Sequence, residues 1–309
     1  MRSRLTYLLI AGLAACGGGD DGGGDGPADG DGGPGDDGRV IDANTDGGQV
    51  SMPGSLRFFG TGGGIDRVEI PIDPQVPADV GVGDFTIDFW LRAAPRAAGG
   101  RPLPMDCSPG RDNWQAGEIV LDRDRMGGGD HGDFGVAIFH GGVAFGVSQG
   151  TTGTGVCGII PVRSGWHHVA VTRNATTGII ALYVDGMPDG MNQGPTGNLS
   201  YRDGATGDPK DPFLVLGADK FDRAGSQSFD GNLDELRIST TVRYTAMFKP
   251  ETARYAAVDA DTAALYHFDE AGGNTLIDER GMSNGAIKVG EDANGGSVPL
   301  WSTAEPFLQ

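Results

Sequence analysis

Apolar and polar residues alternate over many short stretches of this chain, which is the pattern of half-buried β-strands. Residues 85–92 (FTIDFWLR) show the alternation most clearly. The apolar side chains that fall on one face of that predicted strand are Phe85, Ile87, Phe89 and Leu91. Further strands are predicted at residues 118–121, 134–139, 143–147, 167–172, 179–184, 213–216 and 233–238. The pattern from Ser51 onward is therefore β nearly throughout.

Turn residues separate these strands. Residues 174–178 are predicted to join two of them as a hairpin, Asp185-Gly186 to end the second, and His140-Gly141-Gly142 to form another tight connection. Outside the pattern lie two polar loops, at residues 93–116 and 185–212, and two short helical turns, at residues 241–248 and 259–264. Many short antiparallel strands with Gly-rich turns predict an all-β, two-sheet sandwich or jelly roll.

Composition divides the chain into a linker and a folded domain. Of the 309 residues 56 are Gly and 18 are Pro, and residues 17–50 are especially rich in Gly and Asp. That segment offers almost no apolar surface to offset the entropy of ordering it, so it is predicted to be a disordered, flexible tether. Residues 51–309 are predicted to form the domain, with a core at about 55–240 and a C-terminal extension at 241–309.

The first sixteen residues have the features of a secretory signal. Arg2 and Arg4 precede a short apolar run, and Leu13-Ala14-Ala15-Cys16 closes it with small residues. This tetrapeptide resembles the bacterial lipobox, which implies that Cys16 is lipidated; an ordinary signal with a chance cysteine is the alternative. Gly17 resembles the residue found in lipoproteins sorted to the outer membrane. We therefore expect export and a lipid anchor at the outer membrane or cell surface, with no other membrane contact.

The charge of the chain limits its partners. Lys and Arg number 23 against 42 Asp and Glu, which gives a net charge of −19. Nonspecific binding to nucleic acid or to anionic lipid needs clustered basic residues, so the sequence predicts neither.

Two cysteines, Cys107 and Cys157, lie within the domain. In an exported chain they are predicted to pair as a disulfide, closing a loop of about 50 residues and contributing about 3–4 kcal/mol. A metal site or a catalytic thiol would need His or Cys partners in a recognisable spacing, which the sequence lacks.

Four motifs, in order, resemble the laminin-G-like jelly rolls of the concanavalin A-like lectin/glucanase superfamily. They are SLRFFG with VEIP (residues 55–60 and 68–71), FTIDFW (85–90), GWHHVAVT with LYVDG (165–172 and 182–186), and FDGNLDELRI (229–238). The resemblance spans about 185 residues and implies an antiparallel jelly roll of two sheets. Residues 264–270 are similar to a segment usually found at the start of such domains, so the tail is interpreted as an added outer strand or, alternatively, as the stub of a second repeat.

The resemblance also implies one structural Ca²⁺ where the first strands meet the last. Its implied ligands are the Asp234 carboxylate on the closing strand and the Gly60 carbonyl, with Asp66 as a third. Oxygen ligands of this kind suit calcium. An aspartate that merely caps a turn is the alternative for Asp234.

No catalytic constellation is recognisable, and the sequence predicts that the protein is not an enzyme. Glucanases of the superfamily carry a Glu-x-Asp-x-x-Glu strand, which is absent here. Asp122 and Asp124 adjoin arginines that would keep both carboxyl groups ionised, whereas a glycosidase needs one with a raised pKa. Residues 122–127 also resemble the start of an EF-hand calcium loop, but Met126 stands where that loop needs an oxygen ligand. His167 and His168 point to opposite faces of a strand, and in the family this pair is a packing signature.

The leading hypothesis is a non-catalytic, lectin-like domain that binds a glycan or a surface protein and serves in adhesion. The alternatives are a structural envelope component with protein partners, and a glycoside hydrolase with an unrecognised site. Trp114 and Tyr201, in the two predicted loops, are candidates for stacking on sugar rings, with simple packing as the more common role of an isolated Trp in a loop. The sequence assigns no ligand-binding residues and no oligomeric state.

Overall fold

Almost all regular structure in the chain is extended strand. A computed structural model describes residues 54–60, 66–95, 113–124, 132–150, 152–200, 210, 212–221, 227–256, 258–288 and 300–307. One turn of 3-10 helix, Asn113–Ala116, accompanies the strands of these residues. The strands are β1 (Ser55–Phe59), β2 (Arg67–Pro71), β3 (Phe85–Ala93), β4 (Glu118–Asp122), β5 (Gly132–Phe139), β6 (Gly142–Gln149), β7 (Thr152–Cys157), β8 (His167–Arg173), β9 (Ile179–Val184), β10 (Met187–Gln193), β11 (Phe213–Leu216), β12 (Gln227–Ser228), β13 (Asp230–Ser239), β14 (Thr262–Tyr266), β15 (Thr275–Leu276), β16 (Gly285–Lys288) and β17 (Leu300–Ser302).

The strands form two sheets. Sheet A has the order β10-β9-β8-β3-β13-β1-β17, with β14 also paired to β13. Sheet B has the order β15-β16-β2-β11-β4-β5-β6-β7, with the short β12 beside β4. The β12–β4 pair is parallel, and the other strand pairs of the described residues are antiparallel. This arrangement confirms the predicted all-β sandwich.

The core fills the space between the sheets with the apolar side chains that alternate along the strands. Phe85 of sheet A lies 5.0 Å from Phe134 and 6.3 Å from Phe145 of sheet B, measured between ring centroids. Leu56 and Phe58 of β1 and Leu91 of β3 are also completely buried in this cluster. The outward residues of the same strands are consequently free to build surface features.

Two segments, one predicted as a loop and one as a helical turn, contain strands instead. Asp185 and Gly186 have φ of 51° and 76° and reverse the chain into β10, which pairs with β9 inside the predicted loop 185–212. Strand β10 is an edge strand with mostly exposed residues, so it lacks the apolar alternation that would have revealed it. The predicted helical turn at 259–264 is also wrong, because Thr262–Tyr266 is a fully buried strand paired with β13. Residues 241–248 form no helix either.

The C-terminal extension completes both sheets. Strand β14 pairs with the second half of β13, end to end with β1, which pairs with the first half. Strand β16 pairs with β2 in sheet B, and β17 pairs with β1 at the edge of sheet A. These pairings support the interpretation of the tail as added strands rather than as a repeat stub.

Residues 240–256, here called the strap, cover one end of the outer face of sheet A and are held by a buried carboxylate. Asp88 of β3 accepts hydrogen bonds from Arg237 Nε at 3.1 Å and Nη2 at 2.7 Å. It also accepts from the hydroxyls of Tyr244 at 2.9 Å and Tyr255 at 3.1 Å. Burial acts to raise the pKa of Asp88, but His168 and Arg237 outweigh it and lower the pKa to about 2.

We expect Asp88→Asn to lower the free energy of unfolding by about 3–5 kcal/mol, because it leaves Arg237 without its buried counter-charge. Since the folded-state pKa of Asp88 is depressed, its contribution is complete above about pH 5 and is lost as the pH falls toward 2, so the deficit should shrink with acidification. Urea unfolding at several pH values measures it. Asp259→Asn, which breaks the exposed pair with Arg243, is the control and should cost no more than about 1 kcal/mol; equal losses would contradict the assignment.

Candidate functional site

The open end of the outer face of sheet A carries a pocket of about 400 Å³. It lies at the end of the β3–β13–β1 group where β3 ends and β13 begins, and residues 163–165, which precede β8, close one side. The described residues that line it are Arg57, Arg92, Ala93, Ala94, Pro95, Arg163, Ser164, Gly165, Gly231, Asn232, Ser302 and Ala304. Three of them are arginines, and among the described lining residues there is no Asp, Glu, His or Cys.

Strand register places the polar side chains of this pocket in one row. Asn232 of β13 pairs with Arg57 of β1 on one side and with Arg92 of β3 on the other. Each is next to an inward apolar residue, so the alternation of the strands turns all three outward. Since neighbouring strands lie about 4.8 Å apart, the two arginine backbones flank Asn232 at a separation of about 10 Å.

Two of the three arginines are fixed by the protein. Arg57 donates to the Gly231 carbonyl at 3.2 Å and to the Asp230 carboxylate at 2.5 Å. Arg163 donates to the Ala94 carbonyl at 3.0 Å and forms an ion pair with Glu118. Arg92 differs, because its side chain is exposed and it forms no hydrogen bond or ion pair with a described residue.

A glycine brings the strands of the pocket together. A Cβ on Gly231 would lie 2.4 Å from the Arg92 carbonyl oxygen and 2.5 Å from the Phe229 ring. Only hydrogen fits there, which explains in physical terms why this position of the FDG motif is glycine. The same glycine carbonyl accepts the Arg57 hydrogen bond, so it helps to position the side chains of the pocket.

The predicted calcium ligands do not lie together. Asp66 accepts the backbone N–H of Phe59 at 3.3 Å and therefore lies beside Gly60. Phe59 is opposite Asp230 on β13, and Asp234 lies four residues further along that strand, which is about 13 Å. The structure brings Gly60 and Asp66 to one end of the β1–β13 pair and places Asp234 at the other.

The surroundings of Asp234 fit a cation in charge. Burial, together with the charges of Glu235 and Asp269, raises the pKa of Asp234 to about 10. A bound hard cation such as Ca²⁺ would offset the negative charge of these acidic side chains. Among the described residues, however, no three His, Cys, Asp or Glu side chains are arranged to hold a metal ion. A calcium ion at Asp234 would need further oxygen ligands from residues other than Gly60 and Asp66. Calcium binding stays a prediction.

Millimolar Ca²⁺ is expected to raise the melting temperature of the wild-type protein and to leave that of Asp234→Asn unchanged, since the amide removes the negative charge while keeping the size of the side chain. Differential scanning calorimetry with and without a chelator measures both shifts. Asp66→Asn tests the other end of the strand pair. A shift that survives in Asp234→Asn would move the ion away from β13.

The candidate stacking residue Trp114 is not available to a ligand. It lies in the 3-10 turn, is 2% exposed, and packs on the outer face of sheet B with Ile119, Ala137 and Ala144. It fills the space above Gly135, where a Cβ would lie 2.3 Å from the ring. Trp114 is therefore a packing residue, which was the alternative to sugar stacking, because the glycine opposite gives the indole a place to pack. Tyr201 lies outside the described residues.

Gly135→Ala should therefore lower the free energy of unfolding by about 1–3 kcal/mol, because the added methyl group overlaps the Trp114 ring. Gly272→Ala is the matched control, since a Cβ at Gly272 meets nothing within 4 Å. Chemical unfolding of both variants gives the comparison. Equal stabilities would mean that the Trp114 packing is not tight.

The histidine pair and the aspartate pair singled out in the sequence form hydrogen bonds within the protein. His167 contacts Asp185 at 2.8 Å, whereas His168 contacts the Tyr255 hydroxyl at 2.8 Å, so the two rings do not converge. Asp122 is buried and accepts the backbone N–H groups of Asp124 and Lys220 at 2.7 and 2.9 Å. These contacts assign none of the four residues to a common catalytic site.

The remaining predictions fall wholly or partly outside the described residues. Cys157 ends β7, but Cys107 lies outside them, and the disulfide stays a prediction. Cys16, the signal at 1–16 and the linker at 17–50 also lie outside them. None of the described residues belongs to a helix with the length and hydrophobicity needed to cross a membrane.

Family comparison defines the class of the domain. The model of the Laminin_G_3 family, in the concanavalin A-like lectin/glucanases superfamily, matches residues 62–246. This match covers more than half of the chain, so the protein belongs to that family, and the resemblance seen in its four motifs is confirmed. No match to a curated protein was found.

Solved structures similar to this chain include the following three. One is a candidate carbohydrate-binding protein from Bacteroides ovatus, with 14% identity, a TM-score of 0.47, and coverage of 82% of this chain and 63% of that one. Another is the heptameric SAP-like pentraxin of Limulus polyphemus, with 14% identity, a TM-score of 0.41, and coverage of 63% and 80%. The third is a carbohydrate-binding module of a Ruminococcus gnavus sialidase bound to α2,6-sialyllactose, with 12% identity, a TM-score of 0.38, and coverage of 62% and 92%. The chain thus spans about three fifths of the first of these proteins.

The pocket residues were missed by the sequence analysis. Arg57 and Arg92 each stand inside a recognised motif or strand, but as outward residues they carry no signature of function. Strand alternation alone could have shown that they point to solvent. Their common neighbour Asn232 becomes visible only through the strand order β1-β13-β3.

Proposed function

We propose that this protein is a non-catalytic, carbohydrate-binding domain that a lipid anchor at Cys16 holds at the cell envelope. Membership of a lectin and glucanase superfamily supports carbohydrate as the ligand class. The anchor and the tether at 17–50 rest on the sequence features of the N-terminus.

The observation that carries the proposal is the polar composition of the pocket. Its described lining offers guanidinium, amide and hydroxyl groups from Arg92, Asn232 and Ser302, which can bind sugar hydroxyls. The described lining contains no Asp, Glu, His or Cys side chain to act as acid, base or nucleophile. The pocket therefore favours binding over hydrolysis.

A second candidate is the binding of a protein partner at the envelope. The edge strand β10 and the loop before β8 expose apolar side chains, with Met191 70% and Ile159 89% exposed. Such residues favour a protein contact over a sugar, so this candidate becomes the leading one if no glycan binds.

The full-length protein is expected to bind at least one class of glycan on an array, with saturation in calorimetry and recovery of the intact glycan. Ser164→Trp should abolish binding, because Ser164 is exposed and an indole there would fill the pocket. Thr275→Trp, at an exposed position on β15 of sheet B, is the control and should bind as the wild type does. Cleaved glycan would indicate a hydrolase, and the absence of binding across the array would exclude the lectin function.

A further inference from the structure

The side chains that line the pocket are positively charged, whereas the whole protein is negatively charged. The chain carries a net charge of −19, yet three of its 23 Lys and Arg residues line this one depression. Glu118 and Asp230 balance Arg163 and Arg57, and Arg92 remains unbalanced by any described acid. At physiological salt charges are screened beyond about 8 Å, so a ligand in the pocket senses these arginines more than the distant acidic surface.

We infer that this pocket binds the acidic group of a charged glycan, a sugar carboxylate or sulfate, and that Arg92 is the residue that engages it. The inference rests on the proposed carbohydrate-binding function and names the class of carbohydrate.

Arg92 has no evident structural role. It stands in register with Asn232, and beyond Asn232 with the cationic Arg57, so no acid lies directly across from it on β13. An exposed arginine that forms no bond with a described residue contributes little to folding. Its five N–H donors are available to a planar anion, for which the guanidinium fork is suited.

The surrounding groups prepare the pocket for such an anion. The contacts of Arg57 with Gly231 and Asp230 hold its guanidinium in place while using only part of its donors. The Asn232 amide is fixed by donation to Ser55 Oγ at 3.0 Å. A ligand would meet an oriented row of donors and would have to order only the Arg92 side chain, which limits the entropic cost of binding.

The volume of the pocket, and the negative charge of the protein around it, favour a sugar acid over a polyanion. Its volume of about 400 Å³ suits a small ligand rather than a nucleic-acid backbone. A long polyanion would also extend from the pocket over a strongly acidic protein surface, which would repel it. A glycan with isolated acidic residues pairs its charge with Arg92 and its hydroxyls with Asn232, Ser164 and Ser302.

The test uses pairs of sugars that differ in their acidic group: sialyllactose against its carboxyl methyl ester, trigalacturonate against its methyl ester, and a sulfated disaccharide against its desulfated form. Calorimetry with the full-length protein is expected to show at least one acidic member binding tenfold or more tightly than its neutral partner. Raising NaCl from 50 to 300 mM should weaken the acidic member and leave the neutral one unchanged.

Arg92→Gln should reduce affinity for the acidic member at least tenfold and affect the neutral member far less, because glutamine can still bind a hydroxyl group but carries no charge. Arg92→Lys should restore only part of the loss. Lys288→Gln, which removes one positive charge from β16 of sheet B, is the control and should bind as the wild type does. If acidic and neutral members bind equally, or if Arg92→Gln binds both as the wild type does, this inference is wrong while the carbohydrate-binding function stands. If no member of any pair binds and the array is also negative, both are wrong.

Discussion

Strand β13 must fit between β3 on one side and two strands, β1 and β14, placed end to end on the other. This constraint organises sheet A. The first half of β13 approaches β3 so closely that Gly231 has no room for a side chain. The register then shifts between Asp234 and Arg237, near the place where β1 gives way to β14, and Glu235 takes a φ of 50°. One extra residue at this bulge accommodates the change of neighbour.

The two halves of β13 consequently serve different ends of the sheet. Beyond the bulge, Arg237 reaches Asp88 and thereby holds the tyrosines of the strap against the outer face. Before the bulge, Asn232 aligns the two arginines that flank it. At the bulge itself Glu235 accepts the backbone N–H of Tyr255 and contacts His267, so the closing strand also connects the strap to the tail. Strand β13 thus links the part of the face that the strap covers to the part that carries the pocket.

Much of this fold could be predicted because burial on one face is recorded as alternation in the sequence. Strands β9 and β11 have the predicted bounds, and β3 differs by one residue. The edge strand β10 was missed because neither of its faces is well buried, and β14 because all of its residues are. The calcium ligands were chosen by resemblance, and their spacing along β1 and β13 could not be read from the sequence. The arginine row depends on strand order, which brings together residues 35 to 175 positions apart, and no local pattern encodes it.

The pairing of β1 with β17 joins the first described strand of the domain to the last. A ribosome therefore delivers one partner of this pair only when synthesis of the domain is nearly complete, and β13 likewise waits for β14. Until then β1 and the closing strand keep unsatisfied edges, and sheet A cannot close from its N-terminal portion alone. A nascent domain of this design therefore keeps exposed strand edges through most of its synthesis, and sheet A is complete only once β17 has been made.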